Sequence, residues 1–413
     1  MKVRTMQIVD FWVGVPLCFI FSILNKIKSV LPFKKSKFNK KILFLELSEM
    51  GSAILAYSAI MKAKEIKKDY DFYFLIFKSN KESVEILNTF DKDKILTIDN
   101  SSFLKLTLST LKTILKLRSL SLEAILDMEL FSRYSTLISY LSNPKEIIGF
   151  SNYTEEGLYR GNFLTKKVFY NPTKHISINF LALSESLSKE TLSKPFVKKD
   201  LSLYILPIPK FNFKNEIFDN IYLKLKKFNI SKNDKLILIN PDAGALPLRG
   251  WPIKYYKELI SKLENEYPDY KILITGAPSS YTLSKLLCKD VNNTYNFCGE
   301  TKNITEFLHL MEISTLLITQ DSGPVHFASL TNIKLIALFG PETTLRYGPI
   351  NSNNKDTIVI SKNLHCAPCY SAANHRHSTC NDNLCMKCIG VSEVFNSVRR
   401  FLDNKEYNVI NNK

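Results

Sequence analysis

The sequence predicts an α/β fold made of two doubly wound lobes, each a parallel sheet with helices on both faces. Three observations support this prediction. Apolar runs that are continuous rather than alternating predict strands covered on both faces, as in parallel sheets. Helical periodicity between these runs gives a repeated strand–helix order. A proline-containing stretch with little periodicity, residues 201–213, separates two such series and is the predicted linker.

The first lobe covers residues 41–200. Its predicted strands are 42–47, 72–77, 95–98, 124–128 and 147–150, and its predicted helices are 51–65 and 103–117. The second lobe covers residues 214–395. Its predicted strands are 236–240, 271–275, 316–319 and 334–339, and its predicted helices are 253–267, 304–311 and 324–330. Asn303 followed by Glu306 is typical of a capped helix start, and residues 396–413 are predicted to form a C-terminal helix and tail.

The first forty residues are predicted to form a basic, membrane-associated segment. Nine Lys or Arg and one acid fall between Lys2 and Lys41, within a chain of net charge +17. Residues 11–24 carry no charge, but a full span needs about 20 apolar residues, and Pro16 should kink a helix there. A re-entrant or interfacial anchor is therefore favoured over a single span, with a buried helix as the remaining alternative. The basic charge favours anionic head groups and a cytoplasmic body over a nucleic-acid groove.

The strongest candidate site is the loop Asp321–His326, which follows a predicted strand and begins a predicted helix at a proline. Free backbone N–H groups at a helix start form a site for phosphate. Gly323 would let a ligand approach the backbone, Asp321 could hold a ribose or sugar hydroxyl, and His326 could donate to a phosphate oxygen. On spacing alone, a plain helix cap is an equal alternative for the loop, and a lone histidine on such a helix is more often structural than catalytic.

An ordered series of motifs resembles glycosyltransferase family 9, the heptosyltransferases. The family pattern is D-S/T-G-x-x-H-x-A, then a strand and F-G-P-T. This chain has Asp321, Ser322, Gly323, His326, Ala328, Phe339, Gly340 and Pro341, with Glu342 in place of the usual Thr. Further matches in family order are the segments 47–52, 240–244, 249–252, 273–276 and 297–301, so that the resemblance covers about residues 40–395.

The resemblance implies a GT-B architecture, in which two Rossmann-like lobes face a cleft. It also implies an inverting, metal-independent transfer of a heptose or related sugar from a nucleotide-diphosphate donor to a lipopolysaccharide or other surface-glycan acceptor. The expected partners are the nucleotide sugar, the glycolipid acceptor and the membrane surface at the cytoplasmic face of the inner membrane, without nucleic acid. No cofactor is expected. The alternative is a non-catalytic GT-B assembly protein that binds a nucleotide sugar or glycan.

The resemblance also assigns residues to the two halves of the site. Arg249 takes the position that faces the departing diphosphate and is a candidate catalytic residue. The expected donor-binding residues are Asp242, Ala243, Gly244, Arg249, Gly276, Asp321, Ser322, Gly323, His326 and Gly340. Gly51 and Ser52 are expected in the acceptor-side loop, and Trp251 is expected to be a packing residue.

Two departures from the family pattern affect the chemistry. The Asp of the first glycine loop falls at Ser52, and a serine hydroxyl cannot act as a base at neutral pH. Glu49 is therefore the candidate catalytic base, Glu46 is a less favoured one, and a helix-start carboxylate is the structural alternative for Glu49. Residues 277–280 contain no acid where the family often has a ribose-binding Glu, so the donor nucleotide and sugar stay open.

Five of the eight cysteines fall between Cys366 and Cys388. Two C-x2-C pairs at this separation are typical of a zinc ribbon. Cys366, Cys369, Cys385 and Cys388 are therefore candidate ligands of a structural zinc, with His375 and His377 as spare ligands. The resemblance weakens this interpretation, and free thiols or disulfides are the alternatives. A catalytic metal is not expected.

Overall fold

The structure, a computed structural model, describes residues 3–30, 37–151, 158–188, 197–244, 246–350, 355–372 and 376–403. The chain divides into two compact units. Unit 1 contains residues 1–206 and 371–377, and unit 2 contains residues 207–370 and 378–413. The division after residue 206 falls in the stretch that the sequence analysis assigns to the linker. Residues 371–377 are predicted to lie in the second lobe, but they belong to unit 1, where Arg376 forms an ion pair with Glu49.

Unit 1 is built, within the described residues, on one sheet of six parallel strands in the order β3-β2-β1-β4-β5-β6. The strands are β1 Asn39–Leu45, β2 Asp71–Phe77, β3 Ile95–Ile98, β4 Leu122–Asp127, β5 Glu146–Ser151 and β6 Lys166–Phe169. The helices are α1 Val3–Trp12, α2 Gly14–Val30, α3 Met50–Leu55, α4 Tyr57–Ile66, α5 Glu82–Glu85, α6 Phe103–Leu120, α7 Arg133–Leu141 and α8 Ile176–Glu185. The central strand β1 pairs with β2 and β4, and its last four residues are buried.

Unit 2 repeats this plan, with its described strands in the order β12-β11-β10-β7-β8-β9, all parallel. The strands are β7 Lys235–Asn240, β8 Tyr270–Ile274, β9 Thr294–Asn296, β10 Leu316–Gln320, β11 Lys334–Phe339 and β12 Thr357–Ser361. The helices are α9 Asn215–Lys226, α10 Ile253–Glu266, α11 Tyr281–Leu287, α12 Ile304–Glu312, α13 Gly323–Phe327, α14 Thr344–Tyr347, α15 Leu384–Lys387 and α16 Val391–Leu402.

Both sheets have the strand order of a doubly wound fold, which confirms the predicted fold class. In each sheet the winding reverses between two central strands, β1 and β4 in unit 1 and β7 and β10 in unit 2. Ligands of such sheets bind beyond the carboxyl ends of the strands at this reversal. Functional side chains are therefore expected in the loops that follow these four strands.

Three strands at sheet edges, β6, β9 and β12, are missing from the sequence prediction. They have four, three and five residues, and each is partly exposed. An edge strand has only one neighbour, so it needs no continuous apolar run, which is the pattern that identifies the central strands.

The helices follow the predicted order with shifted ends. The first predicted helix of the first lobe divides at Ala56 into α3 and α4. The predicted helix start at Asn303 is confirmed, because its side chain accepts the backbone N–H of Glu306 at 2.9 Å. The C-terminal helix begins earlier than predicted, at Val391, and residues 404–413 lie outside the described residues.

The N-terminal apolar segment is helical. The stretch Ile8–Ser29 has 22 residues and a mean hydropathy of 1.9, and is long and apolar enough to cross a membrane by length and composition alone. Only 11% of its most apolar window is buried, so it is not a core helix, and it is longer than the uncharged run 11–24. The helix is interrupted at Val13, one turn before Pro16, which has no N–H to donate to the carbonyl of Trp12.

Candidate active site

The loop Asp321–His326 follows β10, at the reversal of winding in unit 2. Asp321 is 3% exposed, directly after the last residue of the strand, Gln320. Ser322 is the N-cap residue of α13, but its hydroxyl donates to the carbonyl of Gln320 at 3.0 Å instead of capping the helix. The helix predicted over 324–330 is the five-residue α13 followed by a 3-10 turn, Ala328–Leu330.

Arg249 contacts Asp321 inside unit 2. It ends a 3-10 turn after β7, and its Nε lies 3.0 Å from Oδ2 of Asp321, with the two side chains 13% and 4% exposed. Neither atom has a hydrogen-bond partner among the described residues, because the N–H is not directed at the oxygen. Burial raises the pKa of Asp321, and the positive charge of Arg249 opposes this. Buried polar side chains ordinarily have a hydrogen-bond partner, so this pair is a candidate for a functional role.

A second carboxyl group, that of Glu342, lies in the same site. It is 2% exposed, accepts the backbone N–H of Thr343 at 3.0 Å, and has Oε1 3.6 Å from Nη1 of Arg346. Burial raises the pKa of Glu342 to about 8, and repulsion from Asp321 adds to this, while Arg346 and Arg249 oppose it. The residue that the sequence marks only as a departure from Thr is thus part of the charged cluster.

The carboxylate of Asp242 contacts the turn that follows β8. Its Oδ1 accepts the backbone N–H of Gly244 at 2.7 Å, and its Oδ2 accepts the hydroxyl of Ser280. Gly244 has φ +58°, in the left-handed region that favours glycine, and Ala243 lies between the two residues. The turn that contains Ser280 has no acid of its own, so Asp242 supplies the negative charge there.

Three other predicted donor-site residues, Gly340, Gly276 and His326, lie in tightly packed surroundings. A Cβ at Gly340 would collide with Met386, and one at Gly276 would lie 3.2 Å from Sγ of Cys298. His326 is 5% exposed within α13. A role of these three residues in donor binding stays a prediction.

In unit 1, the loop predicted to lie on the acceptor side joins Glu49 to a distant arginine. Glu49 is the N-cap residue of α3 but makes no capping hydrogen bond, so its side chain does not serve the helix in that way. The hydroxyl of Ser52, next to Gly51 in the first turn of α3, donates to Oε2 of Glu49 at 2.7 Å. Arg376 donates to the same oxygen at 3.1 Å and also contacts Oε1, which makes the ion pair bidentate.

Two further carboxyl groups lie at the reversal of winding in unit 1. Burial raises the pKa of Glu46, 4% exposed after β1, well above its ordinary value, with repulsion from Glu129 adding and Arg376 opposing. Glu129, after β4, accepts the backbone N–H groups of Leu47 and Ser48 at 2.8 and 3.0 Å. Burial lowers the pKa of Arg376 to about 10. Sequence reasoning missed Glu129 and Arg376, because no local pattern links them to the loop.

The cysteine-rich segment gives the zinc interpretation no support. Cys385 is buried and Cys369 half-buried, whereas Cys366 and Cys388 are exposed, and all are free thiols. Among the residues that the structure describes, no group of three or more His, Cys, Asp or Glu side chains could hold a metal ion. His375, a spare ligand in the sequence analysis, lies outside the described residues.

The chain matches the family model "Glycosyltransferase family 9 (heptosyltransferase)" over residues 163–379, just over half of its length. It is 26% identical over 189 residues to lipooligosaccharide heptosyltransferase 2 of Campylobacter jejuni, a match that covers 43% of this chain and 55% of that protein. It is 22% identical over 314 residues to lipopolysaccharide heptosyltransferase 1 of Campylobacter coli, covering 74% of this chain and 85% of that protein. The first of these matches therefore spans little more than half of the relative.

Solved structures with the same fold include ADP-heptose lipopolysaccharide heptosyltransferase II of Escherichia coli, with a TM-score of 0.64 and 16% identity. That match covers 89% of this chain and 100% of the other. A glycosyltransferase of family 9 from Veillonella parvula has a TM-score of 0.68 at 15% identity, covering 89% of this chain and 98% of the other. At these identities the likeness establishes the fold.

Proposed function

Because the chain belongs to glycosyltransferase family 9, we propose that it transfers a heptose or related sugar from a nucleotide-diphosphate donor to a lipopolysaccharide or other surface-glycan acceptor. The relatives in Campylobacter are named as heptosyltransferases of lipooligosaccharide and lipopolysaccharide, which supports this substrate class. The observation that carries the proposal is the buried contact between Arg249 and Asp321 in the family's signature loop, where both facing atoms lack hydrogen-bond partners among the described residues.

The proposed reaction is a single displacement. The acceptor hydroxyl attacks the anomeric carbon, the bond from that carbon to the diphosphate oxygen breaks, and the configuration inverts. Arg249 holds the departing diphosphate, because a guanidinium can pair with two phosphate oxygens and offset the negative charge that develops there. Since this side chain supplies the positive charge, the proposed mechanism needs no metal ion. In the same site, Asp321 accepts a hydrogen bond from a hydroxyl group of the sugar or ribose.

Asp242 is the proposed substitute for the missing ribose-binding acid. Its carboxylate lies against Ser280, in the turn where the family often carries a Glu. A carboxylate can accept hydrogen bonds from two neighbouring hydroxyls, as the ribose of a nucleoside diphosphate presents. This assignment makes the donor a ribonucleotide, without choosing its base.

Glu49 is the proposed catalytic base that takes the proton of the acceptor hydroxyl. The ion pair with Arg376 and the hydrogen bond from Ser52 fix the orientation of this carboxylate. Glu46 is the less favoured candidate, because it is 4% exposed and burial raises the pKa of its carboxyl group well above its ordinary value. The non-catalytic alternative is not favoured, because the loop keeps a carboxylate although the family's Asp is absent.

The membrane surface at the cytoplasmic face of the inner membrane is the proposed location. Support comes from the apolar helix Ile8–Ser29 and from the basic charge around it. An acceptor anchored in a membrane would be within reach of an enzyme held at that surface. No partner nucleic acid and no cofactor enter this proposal.

The proposal is tested by donor binding and transfer with the full chain. Purified protein is screened by thermal shift against ADP-heptose and against UDP-, GDP- and CDP-sugars. Release of the nucleoside diphosphate is then measured with an acceptor glycolipid present and absent. A ligand at 100 times its Kd should add about 2.7 kcal/mol of stability, which Arg249→Met should reduce. Failure of every nucleotide sugar to stabilise the protein, together with no acceptor-dependent release of nucleotide, would refute the proposed function.

A further inference from the structure

Helix α6 has an apolar stripe on the side that faces away from the core. Its buried residues are Thr113, Ile114, Leu117 and Leu120. The opposite side carries Leu104, Leu108, Leu111 and Leu115, which are between 51% and 68% exposed. Their spacing of four, three and four residues places them in one line along the helix. The solvent face of a helix in a soluble protein is ordinarily polar, so this leucine line needs a partner.

The charges on α6 identify the kind of partner. The helix carries Lys105, Lys112, Lys116 and Arg118, all exposed. No acid occurs between Asp99 and Glu123. A leucine line bordered by basic residues is typical of helices in the interface of a membrane, where the apolar side lies among the acyl chains and the lysines lie at anionic head groups. Two copies of the same helix would instead oppose eight positive charges, which disfavours self-association.

The N-terminal helices expose a second apolar surface on unit 1. Its members are Ile8, Phe11, Trp12, Val13, Phe19, Ile20, Ile23, Leu24 and Ile27, each at least 47% exposed. The opposite side of α2 is docked on the protein, where Cys18 is fully buried in a cluster with Leu137 and Phe163. The segment therefore lies along the folded unit with one side covered and the other open.

Helix α7 joins these two apolar surfaces. On one side, the hydroxyl oxygens of Thr110 in α6 and Tyr134 in α7 are 2.5 Å apart. On the other, Asp10 in α1 accepts the backbone N–H groups of Arg133 and Tyr134 at 3.0 and 2.9 Å, and pairs with the guanidinium of Arg133 at 3.0 Å. The first two residues of α7 thus contact both α1 and α6 through polar bonds, so that α1, α7 and α6 are successive neighbours in one layer.

We propose that α6 is a second membrane-binding element, which docks unit 1 on an anionic phospholipid surface together with α1 and α2. The leucine line enters the boundary between head groups and acyl chains, and the lysines beside it contact anionic head groups. This inference goes beyond sugar transfer and does not depend on it, because it rests on exposed side chains of unit 1 alone.

The test asks whether the leucine line enters the lipid in the full-length protein. Tryptophan is introduced by Leu108→Trp in a chain that also carries Trp12→Phe, which leaves the buried Trp251 as a constant background signal. Fluorescence is recorded in vesicles of phosphatidylglycerol and bromine-labelled phosphatidylcholine. The matched control is Leu223→Trp in the same background, because Leu223 is 60% exposed on α9 of unit 2. Bromine should quench the tryptophan at position 108 at least about twofold more than that at position 223, since interfacial helices bury their apolar side about 5–10 Å into the lipid.

Two further measurements keep the result decisive. Replacing Lys105, Lys112 and Lys116 by Gln should reduce the quenching at position 108, and vesicles without phosphatidylglycerol should reduce it likewise. Equal quenching at positions 108 and 223 would overturn the proposal, even if the protein stays bound through α2. A dimer in detergent that Leu111→Ser dissociates, with no quenching at position 108, would overturn it in favour of a second copy of the chain.

Discussion

The hydroxyl of Ser52 donates a 2.7 Å hydrogen bond to the carboxylate of Glu49. The family pattern has an acid at the position of Ser52. This bond therefore joins the serine that replaces that acid to a neighbouring residue that carries a carboxylate. Arg376 pairs with both oxygens of the same carboxylate. The loop therefore keeps an oriented negative charge, one turn away from its expected place.

Removal of this carboxylate should abolish transfer. We expect Glu49→Gln to lower kcat by about 10²–10⁴-fold, the usual contribution of a general base, with little change in donor affinity. Ser52→Ala removes only one orienting bond and should cost far less. The sharpest variant is Ser52→Asp in the Glu49→Gln chain, which should regain part of the activity. If Glu49→Gln retains full activity while Glu46→Gln loses it, the base is Glu46 instead.

Replacement of Arg249, the proposed diphosphate-binding residue, should weaken binding of the transition state more than binding of the ground state. We expect Arg249→Met to lower kcat/KM by on the order of 10²-fold, as for loss of one donor to a developing anion. Arg249→Lys keeps the charge without the paired N–H groups, so its kcat/KM should lie between those of wild type and Arg249→Met. Steady-state kinetics with Lys254→Met, an exposed cation on α10, as the control would separate this effect from net charge. An equal loss of kcat/KM in Arg249→Met and Lys254→Met would contradict the role of Arg249 in diphosphate binding.

The proposed role of Asp242 in ribose binding can be tested with nucleotides that lack the 2′-hydroxyl. We expect Asp242→Asn to weaken nucleoside diphosphate binding by about tenfold, in line with loss of a hydrogen bond to a charged group. The wild-type protein should bind ADP more tightly than 2′-deoxy-ADP, and this preference should disappear in Asp242→Asn. Calorimetric titration of both nucleotides measures it. A preference that survives the substitution would place the ribose elsewhere.

The buried carboxyl group of Glu342 should make stability depend on pH. Burial raises its pKa from 4.5 to about 8, so the folded protein keeps a proton that the unfolded chain releases over this range. Its contribution to the free energy of unfolding is then complete below pH 4.5 and is lost as the pH rises to about 8. Wild type should lose more stability across this range than Glu342→Gln in urea unfolding. The exposed Glu258→Gln serves as the control and should follow wild type.

Trp251 should be a stability residue without a catalytic effect. It is 3% exposed, donates its indole N–H to the carbonyl of Ile389 at 2.9 Å and packs against Tyr256 with ring centroids 4.8 Å apart. Trp251→Phe leaves that carbonyl unbonded and should lower the free energy of unfolding by about 1–2 kcal/mol. The KM for the donor should not change. A large rise in KM at unchanged stability would make the residue a ligand contact.

The central strands and the donor loop were predictable because their patterns are local. β7 and β10 are continuous apolar runs, and the residues that follow them, Asp242 and Asp321, carry the family motif. The short edge strands β6 and β9 lack such a run. Arg376 was not predictable from local pattern, since it lies 327 residues from Glu49 and its neighbours belong to a cysteine-rich segment that suggests a metal.

Glu342 shows a different limit of sequence reasoning. Its departure from the family Thr is visible in the sequence, but its effect depends on burial and on the distances to Asp321 and Arg346. A substitution can therefore be recognised without its consequence being known. The same holds for Glu129, whose hydrogen bonds to the loop at Leu47 and Ser48 appear only in the fold.

Residues 371–377 belong to unit 1, although they are separated from the rest of it by most of unit 2. A fragment that ends at residue 206 would keep all strands of the first sheet and lose Arg376. Its Glu49 would have no cationic partner from this segment, so the fragment would be a poor mimic of the acceptor-side loop. For the same reason, a chimaera that exchanges lobes with a relative at this linker alone would inherit the arginine from one parent and the carboxylate from the other. Lobe exchange in this chain needs three junctions.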